Sequence, residues 1–356
     1  MNFIKGVDIS VQNEIEQLGA KYCKSGKELD VIEILSDFNI NAVRLRLWHD
    51  PYDENNMPYG GGTNDLPTTI KIAKRAKAKN MQFLLDFHYS DFWVDPEIQK
   101  KPKAWENLSG KALEEAVYNY TLETIRELSR NGAAPDMVQI GNEITNGFLW
   151  PDGRFDNAET MTKLLSRGIS AVKDVNPDIK TVIHLDNGGN NKLYRKWFDT
   201  VSPVLDFDII GLSYYPFWHG TLEDLMHNMN DISSRYDKDV MVVETAFPFT
   251  VNQVKNAIFT EEHAKTVPYE INEQGQCKFM HDLMKAIKAV QNNRGLGFFY
   301  WEPTWINIEQ AHWSTEPGIR YLNKKASLAN VWFNLTLFDF DGNALPALEI
   351  IRDFEG

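Results

Sequence analysis

The stretch Met137-Val138-Gln139-Ile140-Gly141-Asn142-Glu143 is a short, mostly apolar run that ends in an acidic side chain, and Val240-Met241-Val242-Val243-Glu244 repeats the pattern. Short runs with apolar residues at consecutive positions are typical of strands that are buried on both faces. Such a strand carries its terminal carboxylate to the edge of a hydrophobic core, where burial and neighbouring groups change its pKa. We therefore predict that Glu143 and Glu244 lie at the rim of a core.

Eight apolar runs recur along the chain, and amphipathic segments separate them. The runs are Phe3–Ile9, Asn41–Leu47, Met81–Phe87, Met137–Asn142, Lys180–Leu185, Phe207–Ser213, Val240–Glu244 and Leu296–Trp301. The helical patterns are Lys27–Phe38, Leu66–Lys79, Gly110–Asn131, Ala158–Val175, Lys192–Ser202, Leu222–Tyr236, Gln276–Gln291 and Pro346–Phe354. Eight units of a buried strand and a helix close into a (β/α)₈ barrel. We predict an α/β fold with a single (β/α)₈ barrel over residues 1–356.

A doubly wound open sheet is the competing fold. That fold is expected to carry a glycine-rich phosphate-binding turn after its first strand. Here the first predicted strand runs into Gly6-Val7-Asp8-Ile9-Ser10 instead, which favours the barrel.

The charge and composition indicate which partners are compatible with the chain. A formal net charge of −13 repels nucleic acid and acidic membrane surfaces, so we expect neither as a partner and favour a neutral substrate. Aromatic residues make up 12% of the chain; most should be core, and others suit stacking on sugar rings. Cys23 and Cys277 are the only cysteines and show no paired spacing, so the sequence allows a disulfide without establishing one, and we expect two unpaired buried thiols. No stretch is apolar enough for a membrane span, and we expect a monomer.

Polar or aromatic side chains follow every predicted strand, and in a barrel these positions form the active-site face. They are Asp8, Arg44, Arg46, Asp86, His88, Asn142, Glu143, His184, Asp186, Asn187, Tyr214, Tyr215, Glu244, Trp301 and Glu302. Taken alone, Arg46 suggests a surface ion pair, and His88 or His184 a satisfied core histidine. Alternation puts Arg44 and Arg46 on one face, so we expect Arg46 to keep a catalytic carboxylate ionised. No metal-binding spacing of histidines occurs, and we expect no metal or other cofactor.

A pair of glutamates at strand ends indicates glycoside hydrolysis, because glycosidic bonds are commonly cleaved between two carboxyl groups. Either glutamate alone would more often be a structural ion-pair partner. Asn142 offers an amide donor for a sugar hydroxyl beside the acid, and Glu143 can protonate the leaving oxygen. Glu244 must stay ionised to attack the sugar, and we expect Tyr214 to donate a hydrogen bond to it.

Longer motifs resemble those of the endo-β-1,4-galactanases of glycoside hydrolase family 53, which are retaining (β/α)₈ enzymes. The matching segments are residues 6–10, 41–48, 86–93, 95–96, 139–147, 149–153, 184–188, 211–218, 243–246 and 300–303, with His88-Tyr89-Ser90-Asp91-Phe92-Trp93 and Tyr300-Trp301-Glu302-Pro303 among them. The resemblance covers nearly the whole chain.

The resemblance implies that Glu143 is the acid/base and Glu244 the nucleophile, with carboxyl groups about 5 to 5.5 Å apart. It also implies that Trp93, Asp186 and Trp301 line the sugar-binding groove and that Tyr214 is the partner of the nucleophile. Asp186 or Asn187 is a candidate to recognise the axial 4-hydroxyl of galactose by a hydrogen bond. We further count His88 as a supporting residue, and Asp8, Asp86 and His184 as substrate-binding residues.

The resemblance leaves several questions open. Some bacterial relatives carry a calcium site made of aspartates in the loops after the seventh and eighth strands. No Asp occurs here between Val240 and His281, so we expect no such site. A mannanase, a cellulase or a non-catalytic carbohydrate-binding barrel are the alternative functions. The N-terminus shows no export signal, but a polymeric substrate suggests a secreted or periplasmic protein, with a cytoplasmic one as the alternative.

Overall fold

Eight parallel strands close into a barrel in the computed structural model, which describes residues 3–251 and 257–355. They are β1 (Ile4–Asp8), β2 (Ala42–Leu47), β3 (Gln82–Phe87), β4 (Met137–Ile140), β5 (Lys180–Leu185), β6 (Ile209–Ser213), β7 (Asp239–Thr245) and β8 (Gly295–Trp301). Each strand pairs with its neighbours in chain order, and β1 pairs with both β2 and β8. The predicted fold class is therefore confirmed.

Helices connect the strands and cover the outside of the barrel. They are Gln12–Gln17, Val31–Asp37, Leu66–Lys77, Gly110–Arg130, Ala158–Val175, Asn191–Val201, Leu222–Tyr236, Glu261–Ala264, Glu273–Lys288, Glu316–Leu322 and Ala347–Asp353. Short 3₁₀ turns lie at Lys103–Trp105, Ile144–Asn146, Phe155–Asn157 and Gln291–Asn293. Two antiparallel hairpins pair Tyr22–Lys24 with Lys27–Leu29, and Gly147–Phe148 with Gly153–Arg154.

One predicted helix begins later than its sequence pattern indicated. Lys27–Leu29 forms the second strand of a hairpin, and the helix starts at Val31. The reason is the side chain of Asp30, which accepts hydrogen bonds from the backbone N–H groups of Ile32 and Glu33 and so caps the helix.

The inward faces of the strands change from apolar to polar along the barrel axis. Near the start of the strands, ten buried apolar side chains form a separate inner cluster: Ile4, Ala42, Leu84, Met137, Val182, Ile209, Met241, Val243, Leu296 and Phe299. Gly6 makes room for this layer, because a β-carbon at that position would lie 2.4 Å from the Phe299 ring. Two residues beyond Gly6, Ala42, Leu84, Met137 and Val182 come Asp8, Arg44, Asp86, Gln139 and His184, all buried. The apolar layer thus closes the barrel beneath a polar layer at the carboxyl ends of the strands.

No helix in the described part of the chain combines the length and the apolar composition that crossing a bilayer requires.

Candidate active site

The two glutamates predicted from the sequence lie next to each other at the carboxyl end of the barrel. Glu143 follows β4 in a left-handed conformation, with φ of 47°. Glu244 lies in β7, where a register shift against β6 pairs it with Ser213. One carboxylate oxygen of Glu143 lies within 4.8 Å of one of Glu244. That separation suits a nucleophile that contacts the anomeric carbon directly and leaves little room for an intervening water.

Both glutamates line a cleft of about 380 Å³. Its walls are rich in tryptophan: Trp93, Trp218, Trp301, Trp305, Trp313 and Trp332. Trp218 is 40% exposed, whereas Trp305 and Trp332 are buried. Broad apolar ring faces beside polar groups match the two surfaces of a sugar ring, whose C–H groups stack and whose hydroxyls form hydrogen bonds.

Arg44 is the central cation of the site. Its side chain is 1% exposed, and its Nη1 lies 2.8 Å from Asp8 and 3.4 Å from Glu244. Its Nη2 donates to Asp86 Oδ2 at 2.8 Å and to Asn142 Oδ1 at 2.9 Å. The Arg44 guanidinium therefore contacts the candidate nucleophile Glu244 together with residues at the ends of β1, β3 and β4.

The expectation that Arg46 holds a catalytic carboxylate is wrong. Arg46 donates to Glu302 and, at 2.8 Å, to the carbonyl oxygen of Gly61, while its guanidinium lies 4.2 Å from the centre of the Trp93 ring. Both arginines face inward, as alternation predicted. Arg46 lies two residues beyond Arg44 in β2, nearer the carboxyl end of the barrel. At that level its carboxylate partner is Glu302 and not Glu244.

The expectation that Tyr214 donates to Glu244 is also wrong. Tyr215 donates its hydroxyl to Glu244 Oε1 at 2.8 Å, and Tyr214 donates to the carbonyl oxygen of Gly220. The Tyr214 backbone N–H binds the carbonyl oxygen of Glu244 at 2.8 Å, so this residue continues the strand pairing beyond β6. The next residue, Tyr215, is therefore the tyrosine whose hydroxyl contacts the Glu244 carboxylate.

Glu143 has a different set of neighbours from Glu244. The hydroxyl of Ser213 donates to Glu143 Oε1 at 2.6 Å. Burial, the nearby Glu244 and Asp186 together hold the pKa of Glu143 well above its usual range, against the Ser213 hydrogen bond. No cation contacts this carboxyl among the described residues, so it is the group that keeps a proton.

Glu244 is the more acidic of the two carboxyls. Burial raises its pKa to about 7, although Arg44 and the Tyr215 hydroxyl both lower it. Because two groups carrying like charge cannot both ionise readily at this distance, the first proton leaves the carboxyl that has the cation. The geometry therefore favours ionised Glu244 beside protonated Glu143.

Asp8, Asp86 and His184 are not positioned to bind substrate, so that expectation is wrong. All three are fully buried in the polar layer beneath the cleft. Asp8 and Asp86 are ion-paired with Arg44, and His184 contacts Ser213 at 2.8 Å. None of the three is among the residues that line the cleft.

His88 lines the cleft, and both of its ring nitrogens have hydrogen-bond partners. Trp48 donates to its Nδ1 at 3.1 Å, so the ring proton lies on Nε2 and faces Asp86 Oδ2 at 3.1 Å. Burial lowers the pKa of His88, which keeps the ring neutral.

Asn142 lies at the cleft surface with a fixed amide orientation. Its oxygen accepts from Arg44, and its nitrogen donates to the carbonyl oxygen of Val94 at 3.1 Å. An amide nitrogen has two hydrogens, so one remains for a substrate hydroxyl.

The remaining predicted groove residues fall into two groups. Trp93 and Trp301 line the cleft with ring centres 6.2 Å apart. Asp186 is nearly buried, and its two carboxylate oxygens accept from the Thr145 hydroxyl and the Asn187 amide. Contact of Asp186 or Asn187 with a sugar stays a prediction.

Sequence reasoning missed several residues of the site. Ser213 had a signal, since alternation from Ile209 along β6 points it inward. Tyr215 is among the predicted rim residues, but no periodicity beyond the end of β6 indicates that its hydroxyl, rather than that of Tyr214, contacts Glu244. Trp313 and Trp332 come from the loop after β8, where no periodicity indicates which side chain faces the cleft.

Within the described residues, Glu143, His184 and Glu244 place one oxygen or nitrogen each within 4.8 Å of one another. Such a group could in principle attract a metal ion. However, both ring nitrogens of His184 already have hydrogen-bond partners, and Glu244 is paired with Arg44. These residues therefore fit a metal poorly. The absence of a metal cofactor stays a prediction, and part of the loop after β7, residues 252–256, lies outside the described residues.

Comparison with known proteins gives a consistent result over the whole chain. The model of glycosyl hydrolase family 53 matches residues 4–351. The solved GH53 catalytic domain of Ignisphaera aggregans superposes with a TM-score of 0.92 at 45% identity, over 99% of this chain and 96% of that one. The endo-β-1,4-galactanase of Bacillus subtilis strain 168 is 38% identical, over 99% of this chain and 86% of the relative. The arabinogalactan endo-β-1,4-galactanase of Humicola insolens is 33% identical over 98% of both chains.

Proposed function

This chain belongs to glycosyl hydrolase family 53, and we propose that it is an endo-β-1,4-galactanase that cleaves galactan side chains of pectin with retention of configuration. Relatives at 33% and 38% identity carry that activity in their names, and each is aligned over nearly all of this chain. The family resemblance of the sequence motifs is thereby confirmed.

The observation that carries the retaining mechanism is the short distance between Glu143 and Glu244. Oxygens of the two carboxyls lie within 4.8 Å, close to the separation of about 5 to 5.5 Å that is typical of retaining glycosidases. In an inverting enzyme the second carboxylate activates a water, and the pair stands about 6.5 to 9.5 Å apart.

In the first step, ionised Glu244 attacks the anomeric carbon while Glu143 gives its proton to the glycosidic oxygen of the leaving chain. The C–O bond to the leaving group breaks, and a galactosyl ester of Glu244 forms. Arg44 and Tyr215 hold the Glu244 carboxylate in place before attack. The raised pKa of Glu143 keeps its proton available.

In the second step, Glu143 is ionised and takes a proton from water, whose oxygen attacks the same carbon. The ester bond breaks and Glu244 leaves as a carboxylate. While Glu244 is esterified it carries no charge, so the repulsion that raised the pKa of Glu143 is absent and Glu143 can act as a base.

The substrate is tested by reducing-sugar release from galactan, β-mannan and cellulose under the same conditions. We expect short oligosaccharides from galactan and little release from the other two polymers. Release from mannan or cellulose without release from galactan would replace the proposed substrate with one of the alternatives.

The roles of the two glutamates are tested by Glu244→Ala and Glu143→Ala. The Glu244 variant should lose galactan hydrolysis by about 10⁴-fold or more while staying folded. The Glu143 variant should lose turnover of galactan, yet still react with an aryl galactoside whose leaving group needs no protonation. Wild-type turnover by the Glu244 variant would rule out this nucleophile, and binding without turnover by the unmodified protein would favour a carbohydrate-binding barrel.

We also propose that the enzyme works as a monomer outside the cytoplasm. Its cleft is formed by residues of one chain, and a galactan polymer is too large to cross a membrane unaided. Sedimentation of the purified protein tests whether it is a monomer. Fractionation of the source cells, with galactanase activity measured in each fraction, tests its location. A stable dimer, or activity confined to the cytosol, would contradict them.

A further inference from the structure

A row of buried polar side chains connects Arg44 to Glu143 beneath the cleft. Arg44 Nε donates to Gln139 Oε1 at 3.3 Å, and Gln139 Nε2 lies 3.1 Å from His184 Nδ1. His184 Nε2 lies 2.8 Å from Ser213 Oγ, which lies 2.6 Å from Glu143 Oε1. Gln139, His184 and Ser213 are each fully buried.

The direction of these hydrogen bonds follows from the donors at one end. Because Gln139 Oε1 accepts from Arg44, its amide nitrogen faces away and donates to Asp86 Oδ1 at 2.5 Å. The second hydrogen of this amide faces the carbonyl oxygen of Gly141 and His184 Nδ1, each 3.1 Å from the nitrogen. The backbone N–H of Glu143 also points at His184 Nδ1, at 3.4 Å. Nδ1 also lies 3.1 Å from Asn142 Oδ1, which accepts from Arg44. Among the described residues the Glu143 N–H has no acceptor other than His184 Nδ1, so we assign Nδ1 as the unprotonated nitrogen and place the ring proton on Nε2.

The same reasoning fixes the proton of Ser213. The His184 Nε2–H donates to Ser213 Oγ, and the single hydroxyl hydrogen then donates to Glu143 Oε1. Oε1 is therefore an acceptor. Among residues 3–251 and 257–355, no hydrogen bond reaches Glu143 Oε2, so the carboxyl proton belongs on that oxygen.

We propose that Ser213 and His184 are positioning residues, which direct the proton of Glu143 to Oε2 and stabilise the ionised form of Glu143 that serves as the base. This inference rests on the proposed function, in which Glu143 is the acid/base. Ser213 is the direct contact, and His184 acts through it by fixing where the serine hydroxyl points.

Other titratable or charged groups also face this pair, and their effects must be separated from that of Ser213. Around Glu143 they are Glu244, Asp186, Asp95, Tyr194 and Tyr215, and around His184 they are Arg44, Asp86, His88 and His219. None of them is changed in the variants below. Burial and Arg44 keep the pKa of His184 well below its usual range, so its ring stays neutral across the range in which galactan hydrolysis would be measured.

The test is the pH profile of kcat/KM for galactan in Ser213→Ala. The hydroxyl stabilises the Glu143 carboxylate, so its loss raises the pKa of Glu143. Activity requires protonated Glu143, and the alkaline limb should therefore move to higher pH by about one unit. We expect kcat to fall about tenfold with little change in KM, because the acid proton is no longer confined to Oε2.

Two further variants separate positioning from a general loss of stability. His184→Gln can accept from Gln139 and donate to Ser213, so its alkaline limb should stay near that of the wild type, whereas His184→Leu should shift it part of the way toward Ser213→Ala. Ser233→Ala is the matched control. Ser233 is a buried serine of the helix Leu222–Tyr236, and its hydroxyl donates to the carbonyl oxygen of Lys238, just after that helix. Its profile should not move.

An unchanged alkaline limb in Ser213→Ala would overturn the inference, as would equal shifts in the two His184 variants. Neither result would affect the proposed function. That proposal fails separately, if Glu143→Ala hydrolyses galactan as well as the wild type does.

Discussion

At the scale of single residues, neighbouring tyrosines have different roles. Tyr215 donates to Glu244 at 2.8 Å, whereas Tyr214 is bound to a backbone carbonyl oxygen. A hydroxyl next to a nucleophilic carboxylate stabilises its charge and sets its orientation, so the two tyrosines should respond differently to the same change.

We expect Tyr215→Phe to lower kcat/KM for galactan about tenfold, because Glu244 loses a charge-assisted hydrogen bond. Tyr214→Phe is the matched control and should stay within about twofold of the wild type. Steady-state kinetics at one pH measure both. A larger loss in Tyr214→Phe than in Tyr215→Phe would contradict the observed hydrogen bonds.

At the scale of secondary-structure elements, β2 supplies both inward arginines and connects strands that are remote in sequence. Arg44 contacts Asp8 of β1, Asp86 of β3 and Glu244 of β7. Removing one member of a buried ion-pair network leaves its partners charged and unpaired, which costs more than the pair contributes.

We expect Arg44→Met to lower the free energy of unfolding by about 3 to 5 kcal/mol, because two aspartates at the barrel centre lose their cation. Arg126→Met is the control, since Arg126 forms an exposed pair with Glu123 and should change stability by no more than about 0.5 kcal/mol. Urea denaturation measures both variants. Equal stability of Arg44→Met and the wild type would show that the network is not required for the fold.

At the scale of the whole molecule, the site carboxyls give stability a dependence on pH. The folded-state pKa of Glu143 is raised well above its ordinary value, and that of Glu244 to about 7, chiefly by burial. Between the unfolded pKa of about 4.3 and these values, the folded protein binds more protons than the unfolded chain. Stability from this source is present at low pH and is lost as pH rises through the folded pKa values.

We therefore expect the free energy of unfolding to fall by about 2 kcal/mol or more between pH 5 and pH 8. Glu143→Gln, which removes one of the two coupled carboxyls, should flatten this slope. Urea titrations at four pH values measure the effect. Stability that rises from pH 5 to pH 8 in the wild type, or a slope unchanged in Glu143→Gln, would contradict this explanation.

The fold and the position of the site follow from local patterns in the sequence. Consecutive apolar residues in eight short runs indicate buried parallel strands, and the period of two along Ala42, Arg44 and Arg46 indicates which side chains share a face. Because strand ends form one rim in a barrel, Glu143 and Glu244 could be placed together without coordinates.

What only the tertiary structure decided is which side chains on that rim touch. The choice of Arg44 over Arg46, and of Tyr215 over Tyr214, depends on contacts across the barrel and on the register shift between β6 and β7 at Ser213. Alternation along one strand determines the face of a residue but not its height relative to strands far away in sequence. That height is set by barrel closure and by the register shift, and neither leaves a periodic signal in the chain.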